Sequence, residues 1–428
     1  MKFLVIGRGG REHAIVWKLS KSPLVKKIYC ATGNAGMEDV AERINIKAED
    51  IDELLKFALK NKVDYTIVGP EISLTEGIVD TFEEKGLKIF GPCANTAKLE
   101  GSKAYAKSIM EKYDIPTARF GTFENQEEAF EYIEEVGAPL AIKTDGLSAG
   151  KGFIIAKDEI TAKLAVNVMM QDKVFGDAGK HVLIEELLSG DEITITFFTD
   201  GKKSFGLSSA QDYKRAYDMN RGPNTHGMGA ISPAPVWNDK VEKDVMKKVV
   251  TPFLKALEKE DLSMKGVVYM NLILTEEGQK VVELNVRFGD PETQAILPRL
   301  KTDLAEIISK ICDGKSSSLK VEWHDEKAIC AQIVSGGYPL KYITGRLITG
   351  IEKIKEADDL VLFHSGTALQ NERFYTNGGR VLCLSVRKDS VDQARKALYD
   401  NISKIFFREM HYRDDIGLDI EPVKGGEN

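Results

Sequence analysis

A chain of 428 residues has room for two to four domains, and 43% hydrophobic with 29% charged residues is ordinary for a soluble globular protein. The formal net charge of -7 offers no general electrostatic attraction to nucleic acid or anionic lipid. Cys30, Cys93, Cys312, Cys330 and Cys383 are scattered without CxxC or zinc-ligand spacing, and read as buried free thiols in a reducing cytosol. MKFLVIGRGG is a first strand and not a signal peptide, and no apolar stretch approaches membrane-spanning length.

Along the first hundred residues strand and helix signals alternate. KFLVIG is a buried strand and GGREHAIVWKLSKS a glycine-led helix. KKIYCA is a second strand, followed by a GNAG loop from Gly33. IDELLKFALKNK, DYTIVGP, LTEGIVDTFEEKG and KIFGP continue the rhythm. This βαβ pattern predicts a parallel sheet covered by helices, with ligands at the carboxyl ends of its strands. From Ser102 the texture becomes mixed α and β. SKAYAKSIMEKYDIP is a helix ending before Pro116, and FENQEEAFEYIEEVGAP is another. LAIKTDGLSAGKGFIIA reads as strand, glycine-rich loop, strand, and HVLIEELLSGDEITITFFTDG as two strands with a short turn. Near Asp325 a small α+β region begins, containing NGGRVLCLSVRK and the helix DSVDQARKALYDNISKI.

The chemistry concentrates in VVELNVRFGDPETQ, from Val281 to Gln294. Alternate residues of a strand share a face, so Glu283, Asn285 and Arg287 point the same way. Oxygen donors suit Mg²⁺, and a guanidinium holds a carboxylate or phosphate bidentately. The same period of two also describes the solvated face of an antiparallel sheet. Upstream, GVVYMNLIL from Gly266 is a strand and TEEGQ a hairpin loop. If Leu274 pairs with Lys280, Asn271 lies opposite Glu283 as a possible third oxygen ligand. Asp290-Pro291 fits an N-cap followed by proline at the first helical position.

Other motifs are individually weaker. GRGGREHA offers backbone N–H groups for a phosphate, or simply close strand–helix packing. KTDGLSAGKG suits a mobile phosphate lid or an exposed hairpin tip. The carboxylates of IEELLSGDE read most simply as exposed. GPNTHGMGAISPAP is a long, turn-rich loop of the kind that is often functional.

Taken in order, GRGGREHA, GNAG, VGPE, KTDGLSAGKG, GPNTHGMGAISPAP, RFGDPETQ and TNGGRVL resemble the ATP-grasp ligases, most closely the glycinamide ribonucleotide synthetases (phosphoribosylamine–glycine ligases), over nearly the whole chain. The resemblance implies a preATP-grasp parallel-sheet domain over 1–101, an ATP-grasp domain over 102–324 with a mobile lid near 117–190, and a C-terminal α+β domain over 325–428. It implies ATP-dependent joining of glycine to 5-phosphoribosylamine through glycyl phosphate, with Mg²⁺ or Mn²⁺, in purine synthesis. The expected setting is a cytoplasmic monomer or weak dimer without nucleic acid or membrane partners. The family pattern puts Lys103 and Lys143 on ATP phosphates, with Gly150 and Lys151 of the glycine loop also at the nucleotide. Glu185, Glu186 and Leu188 would line the adenine pocket, partly through backbone groups, and Glu192 would hold the ribose. Glu283 and Asn285 match the metal positions. Arg287 would bind the glycine carboxylate or acyl phosphate, with Asp212 as a second catalytic group. Gly9, Gly10, Asn34, Glu71, Lys214 and Asp290 would surround phosphoribosylamine. Arg8, Tyr213, Tyr217-Asp218-Met219-Asn220 and His226 depart from the family pattern and are expected on the substrate side. They leave open a paralogue that ligates another amino acid or amine.

Overall fold

The computed structural model describes residues 1–146, 152–171 and 179–418. Gly150 and Lys151, expected at the nucleotide, lie outside the described residues. A 13-stranded sheet runs through the molecule. At one end Lys2–Gly7, Lys27–Thr32, Glu42–Ile44, Tyr65–Val68 and Ile89–Pro92 pair in parallel, as the βαβ rhythm predicts. The rest is antiparallel. Met264–Thr275 begins against Ile89–Pro92 and continues against both Asp191–Thr199 and Gly278–Asn285. Ser204–Asp212 and Gly229–Ser232 carry the sheet on to Lys327–Val334, Arg380–Lys388 and the edge strand Leu360–His364.

A separate four-stranded antiparallel sheet contains Phe120–Phe123, Val182–Glu186, Leu140–Thr144 and Phe153–Ala156. Helices Gln126–Val136 and Glu159–Met170 give it a core of its own, including Ile133, Ile142, Val166 and Ile184. Val182–Glu186 and Asp191–Thr199 are therefore neighbours in sequence but members of different sheets. The helix Lys103–Lys112 starts on Ser102, whose hydroxyl accepts from the Tyr105 N–H. It stops before Asp114, which has a left-handed φ of 54°, and Pro116.

The hairpin that carries the metal candidates departs from simple alternation. Leu274 pairs with Gln279, not Lys280, and Ile273 takes Lys280. The register then shifts, so that Leu272 faces Val281 while Asn271 faces Glu283. Val282 is the extra residue of a β-bulge. The bulge changes the parity of the strand. Val281, Leu284 and Val286 join a core with Met270, Leu272, Ile193 and Ile195, while Glu283 and Asn285 turn to the opposite face. Without the extra residue, Glu283 would share a face with the fully buried Val281.

Candidate active site

Directly paired residues of an antiparallel sheet share a face. The registers align Thr194 with Asn271 and Ala210, Asn271 with Glu283, and Tyr269 with Asn285. One step of two along each strand adds Glu192 beside Thr194 and Asp212 beside Ala210. A single face thus carries Asp212, Glu192, Thr194, Asn271, Glu283 and Asn285, with hydrocarbon behind it. The Asn271 Nδ2 donates to Glu192 Oε1 at 2.7 Å, while its Oδ1 is buried with no partner. The exposed Glu283 carboxylate makes no hydrogen bond or ion pair among the described residues. One carboxylate with two amide oxygens, one of them orphaned, fits a hard divalent cation that completes its shell with phosphates and water.

Cations surround this face. Lys103 donates to the Gly146 carbonyl at 3.0 Å, and burial, then Lys143, lower its pKa against the pull of Glu283. Lys143 and Lys107 both reach Glu185 Oε2, at 3.0 and 3.3 Å. Burial brings Lys107 down to about 8, and it also donates to Thr117 Oγ1 at 2.6 Å. Glu185 is 2% exposed, so the reading of exposed acids fails there: two ammonium groups make burial of the carboxylate tolerable. Glu186 likewise accepts from the Arg119 N–H at 2.9 Å and pairs with Lys280 at 3.2 Å. Lys107 and Lys143 both engage Oε2 of Glu185, while Glu185 Oε1 is buried without a partner. Leu188, on the segment after this strand, is half-buried. Lys214 contacts Glu192. Burial alone would lower the Lys214 pKa, but Glu192, Asp212 and Glu283 hold it above the ordinary value.

Arg287 follows the metal strand. Its Nε lies 2.8 Å from Glu100 Oε1 and 3.2 Å from Glu71 Oε2, and its Nη1 donates to the Phe288 carbonyl at 3.0 Å. Burial pushes the Glu71 carboxyl up, but Arg287 and Arg11 outweigh it and hold it below its usual value. Asp290 is not an N-cap. The Asp290-Pro291 peptide is cis, the helix spans Glu292–Arg299, and no side chain caps it. Asp290 instead pairs with Arg380 at 2.5 Å and accepts from Gln294 Nε2 at 2.7 Å, because a buried carboxylate gains more from a guanidinium than from one backbone N–H. Glu292 lies over the polar face and accepts from Tyr269 Oη at 2.8 Å. Burial, then Glu292, push the Asp212 carboxyl well above its ordinary value, and Asp212 Oδ1 is buried without a partner.

At the N-terminal loop the expected phosphate cradle is partly filled by the chain. The Gly9 N–H donates to Glu12 Oε2 at 2.6 Å, and a Cβ on Gly10 would lie 2.6 Å from Ser365 Oγ. Asn34 donates to the Arg8 and His364 carbonyls and accepts from the Gly36 N–H, clamping three segments together. A Cβ on Gly9 would lie 3.9 Å from Asp290 Oδ2, so this loop still borders the cleft.

The departures from the family pattern divide. The Tyr213 hydroxyl accepts from the Gly417 N–H at 2.9 Å, and its ring lies beneath Arg413, away from Asp212. Asp218, Met219 and Asn220 bond to residues 413–415, and Tyr217 packs on His411. These do not touch the cleft, because strand alternation turns Tyr213 outward and the 217–220 turn follows it. His226 does border it: Arg380 donates to its carbonyl at 2.8 Å, and Asp290, Glu71 and Arg287 act on its ring. Arg8 is exposed. Cys93 and Cys312 are only partly buried, unlike the other three thiols.

Models of the phosphoribosylglycinamide synthetase family match three consecutive parts of the chain: the N domain over 1–100, the ATP-grasp (A) domain over 101–293 and the C domain over 328–419. The chain belongs to the phosphoribosylglycinamide synthetase family. A phosphoribosylamine–glycine ligase of Caldanaerobacter subterraneus is 50% identical over 416 residues, covering 97% of this chain and 99% of the relative. One from Escherichia coli K12 is 44% identical over 421 residues, covering 97% and 98%. The crystal structure of phosphoribosylamine–glycine ligase from Thermotoga maritima superposes with a TM-score of 0.84 at 29% identity, covering 97% of this chain and 100% of that one. A biotin carboxylase domain from Hydrogenobacter thermophilus, solved with MgADP, shares the fold at a TM-score of 0.72 and 17% identity, covering 96% and 91%. ATP and a divalent metal are the cofactors of the ATP-grasp family. Among the described residues no helix is long and apolar enough to cross a membrane.

Glu100, Glu292, Lys107, Arg11 and Arg380 were not singled out by sequence reasoning. Glu292, Arg380 and Arg11 lie inside motifs already marked, RFGDPETQ, TNGGRVL and GRGGREHA. Nothing local distinguishes Glu100 or Lys107 from surface charges.

Proposed function

We propose that this family member ligates glycine to 5-phosphoribosylamine at the described cleft, forming glycinamide ribonucleotide, ADP and phosphate. The observation that carries the reading is the face where the unengaged Glu283 carboxylate and the orphaned Asn271 oxygen meet, with cations on either side. A free carboxylate lacks a leaving group and does not acylate an amine. Transfer of the γ-phosphoryl group of ATP to the glycine carboxylate supplies one. The amine then attacks the carbonyl carbon, the C–O bond to phosphate breaks, and a proton leaves nitrogen. Lys103 and Lys143 hold the phosphates. Arg287 holds the acid. Asp212, whose Oδ1 is buried and unpartnered on this face, takes the proton. Glu283, Asn285 and Asn271 would hold Mg²⁺ or Mn²⁺, which supplies charge neutralisation between the phosphoryl oxygens. The remaining work is positioning in a polar, preorganised site. The domain limits 1–101, 102–324 and 325–428, with the four-stranded unit as lid, belong to the same proposal.

The test is phosphate release from Mg-ATP with glycine, with and without freshly generated phosphoribosylamine. Release that requires both is expected. Release only with another acid or amine would favour a paralogue with changed substrates, and no release in any combination despite ATP binding would refute ligase chemistry.

A further inference from the structure

Arg287 does not extend freely into the cleft. Its side chain is 17% exposed and is flanked by two carboxylates from the N-terminal part of the chain. Glu100 is the deeper of these, with a 4% exposed side chain. Its Oε2 accepts the Val286 N–H at 3.1 Å, so the residue before Arg287 fixes one oxygen while the guanidinium meets the other at 2.8 Å. Burying a carboxylate is costly, and well-packed apolar residues in its place are often as stable. A counter-charge for Arg287 is already provided by Glu71 at 3.2 Å. Glu100 therefore does more than neutralise. Nη1 donates to the Phe288 carbonyl, whereas Nε meets Glu100 Oε1 as an ion-pair contact without hydrogen-bond geometry, so among the described residues neither Nε nor Nη2 makes a hydrogen bond. The Glu100 charge and the Phe288 carbonyl therefore both approach the planar fork from behind. Glu100 also ends the helix Ala94–Gly101, one turn before Lys103. A single corner of backbone thus sets both the acid anchor and a phosphate lysine.

We propose that Glu100 is a positioning residue for the acid substrate: it orients the Arg287 guanidinium so that its open edge meets the carboxylate to be phosphorylated. The inference rests on the reading of Arg287 as the acid anchor. Positioning and simple charge balance give opposite signs. If Glu100 only balanced charge, Glu100→Gln would leave Arg287 more positive and lower the KM for glycine. If Glu100 orients the fork, loss of its charge raises that KM.

The experiment measures steady-state phosphate release by the full-length chain, with glycine and ATP varied in turn. Glycine- and phosphoribosylamine-dependent turnover of the unaltered chain tests the underlying reading first. For Glu100→Gln, kcat/KM for glycine should fall by about 10- to 100-fold, the scale of a misplacement near 1 Å. The KM for ATP should stay within about twofold, since the change removes no nucleotide contact. Glu100→Asp keeps the charge but retracts the carboxylate by one methylene. It should shift the glycine KM the same way by a smaller factor, and it decides the question if the Gln variant does not fold. An unchanged or lower glycine KM in either folded variant, or equal losses for glycine and ATP, would overturn the proposal.

Discussion

Replacing Glu283 by Gln keeps the shape of the metal face and removes the one carboxylate among the three proposed ligands, Glu283, Asn285 and Asn271. As a floor for a divalent ion in direct contact with its ligand, two unit charges 4 Å apart attract by about 4 kcal/mol at an effective dielectric near 20. Glu283 is exposed, so solvent screening halves that to about 2 kcal/mol, roughly a 30-fold weaker hold on the metal. The Asn271 and Asn285 oxygens remain, so the site should survive with reduced affinity. Glu283→Ala removes the ligand outright and should abolish turnover. The assay is phosphate release titrated with Mg²⁺ at saturating ATP and glycine. For Glu283→Gln the half-saturating free Mg²⁺ should rise by about 30-fold, with partial recovery at high Mg²⁺. A wild-type Mg²⁺ profile in either variant would refute the assignment of Glu283, and with it the bulge argument that turned this residue to the cleft.

Three further outcomes follow from other parts of the structure. Arg413 is fully buried, bidentate on Asp415 at 2.7 and 2.8 Å, and bonded to Asn220. Arg413→Met should cost about 3–5 kcal/mol, read from denaturant midpoints, by stranding Asp415. His13 is buried, accepts the His364 N–H on Nδ1 at 2.8 Å, and burial lowers its pKa from 6.5 to about 4. Its folded pKa lies below its unfolded one, so stability is fully present above pH 6.5 and is lost as pH falls toward 4. The loss is about 3 kcal/mol at roughly 1.4 per pKa unit, and His13→Asn should flatten that slope in denaturant titrations across the window. Gly227 has φ +100°, and an added Cβ would lie 2.3 Å from Pro291 Cδ and 3.6 Å from Asp212 Oδ1. Gly227→Ala should strain the loop by about 1–3 kcal/mol and lower kcat, with ATP binding measured by equilibrium titration unchanged.

Much of this architecture is legible because it rests on local periodicity. The βαβ alternation predicts the parallel strands, and the TEEGQ turn predicts the hairpin with its two-residue tip, Glu276 and Glu277. The sharing of a face by Glu283 and Asn285 is also local, and it holds. The facing of Asn271 and Glu283 also holds, but for a reason no periodicity contains. The register was one residue off, and a bulge at Val282 compensated. A bulge is decided by competition between two faces, here Val281 seeking the core and Glu283 seeking the cleft. Asp290 shows the same limit. An Asp-Pro pair before a helix satisfies the local rule for a cap, but Arg380, 90 residues away, supplies a stronger partner. The roles of Glu100 and Lys107 depend wholly on what the fold brings to them.

Tertiary placement also narrows the question of specificity. Of the positions that depart from the family pattern, Tyr213 and the 217–220 turn are spent on holding residues 411–417. Their side chains are engaged in that packing and do not reach the cleft. Arg8 and His226 remain. Arg8 is exposed on the N-terminal loop, with its carbonyl held by Asn34. The backbone of His226 is fixed at both ends, by Tyr338 Oη on its N–H at 3.2 Å and Arg380 on its carbonyl. Asp290, Glu71 and Arg287 all act on its ring. Burial, then Arg380, lower its pKa, so the ring is neutral at physiological pH and offers a hydrogen bond without competing for the charge of the acid. Arg8 and His226 are thus the departures that border the cleft, while Tyr213 and the 217–220 turn face residues 411–417.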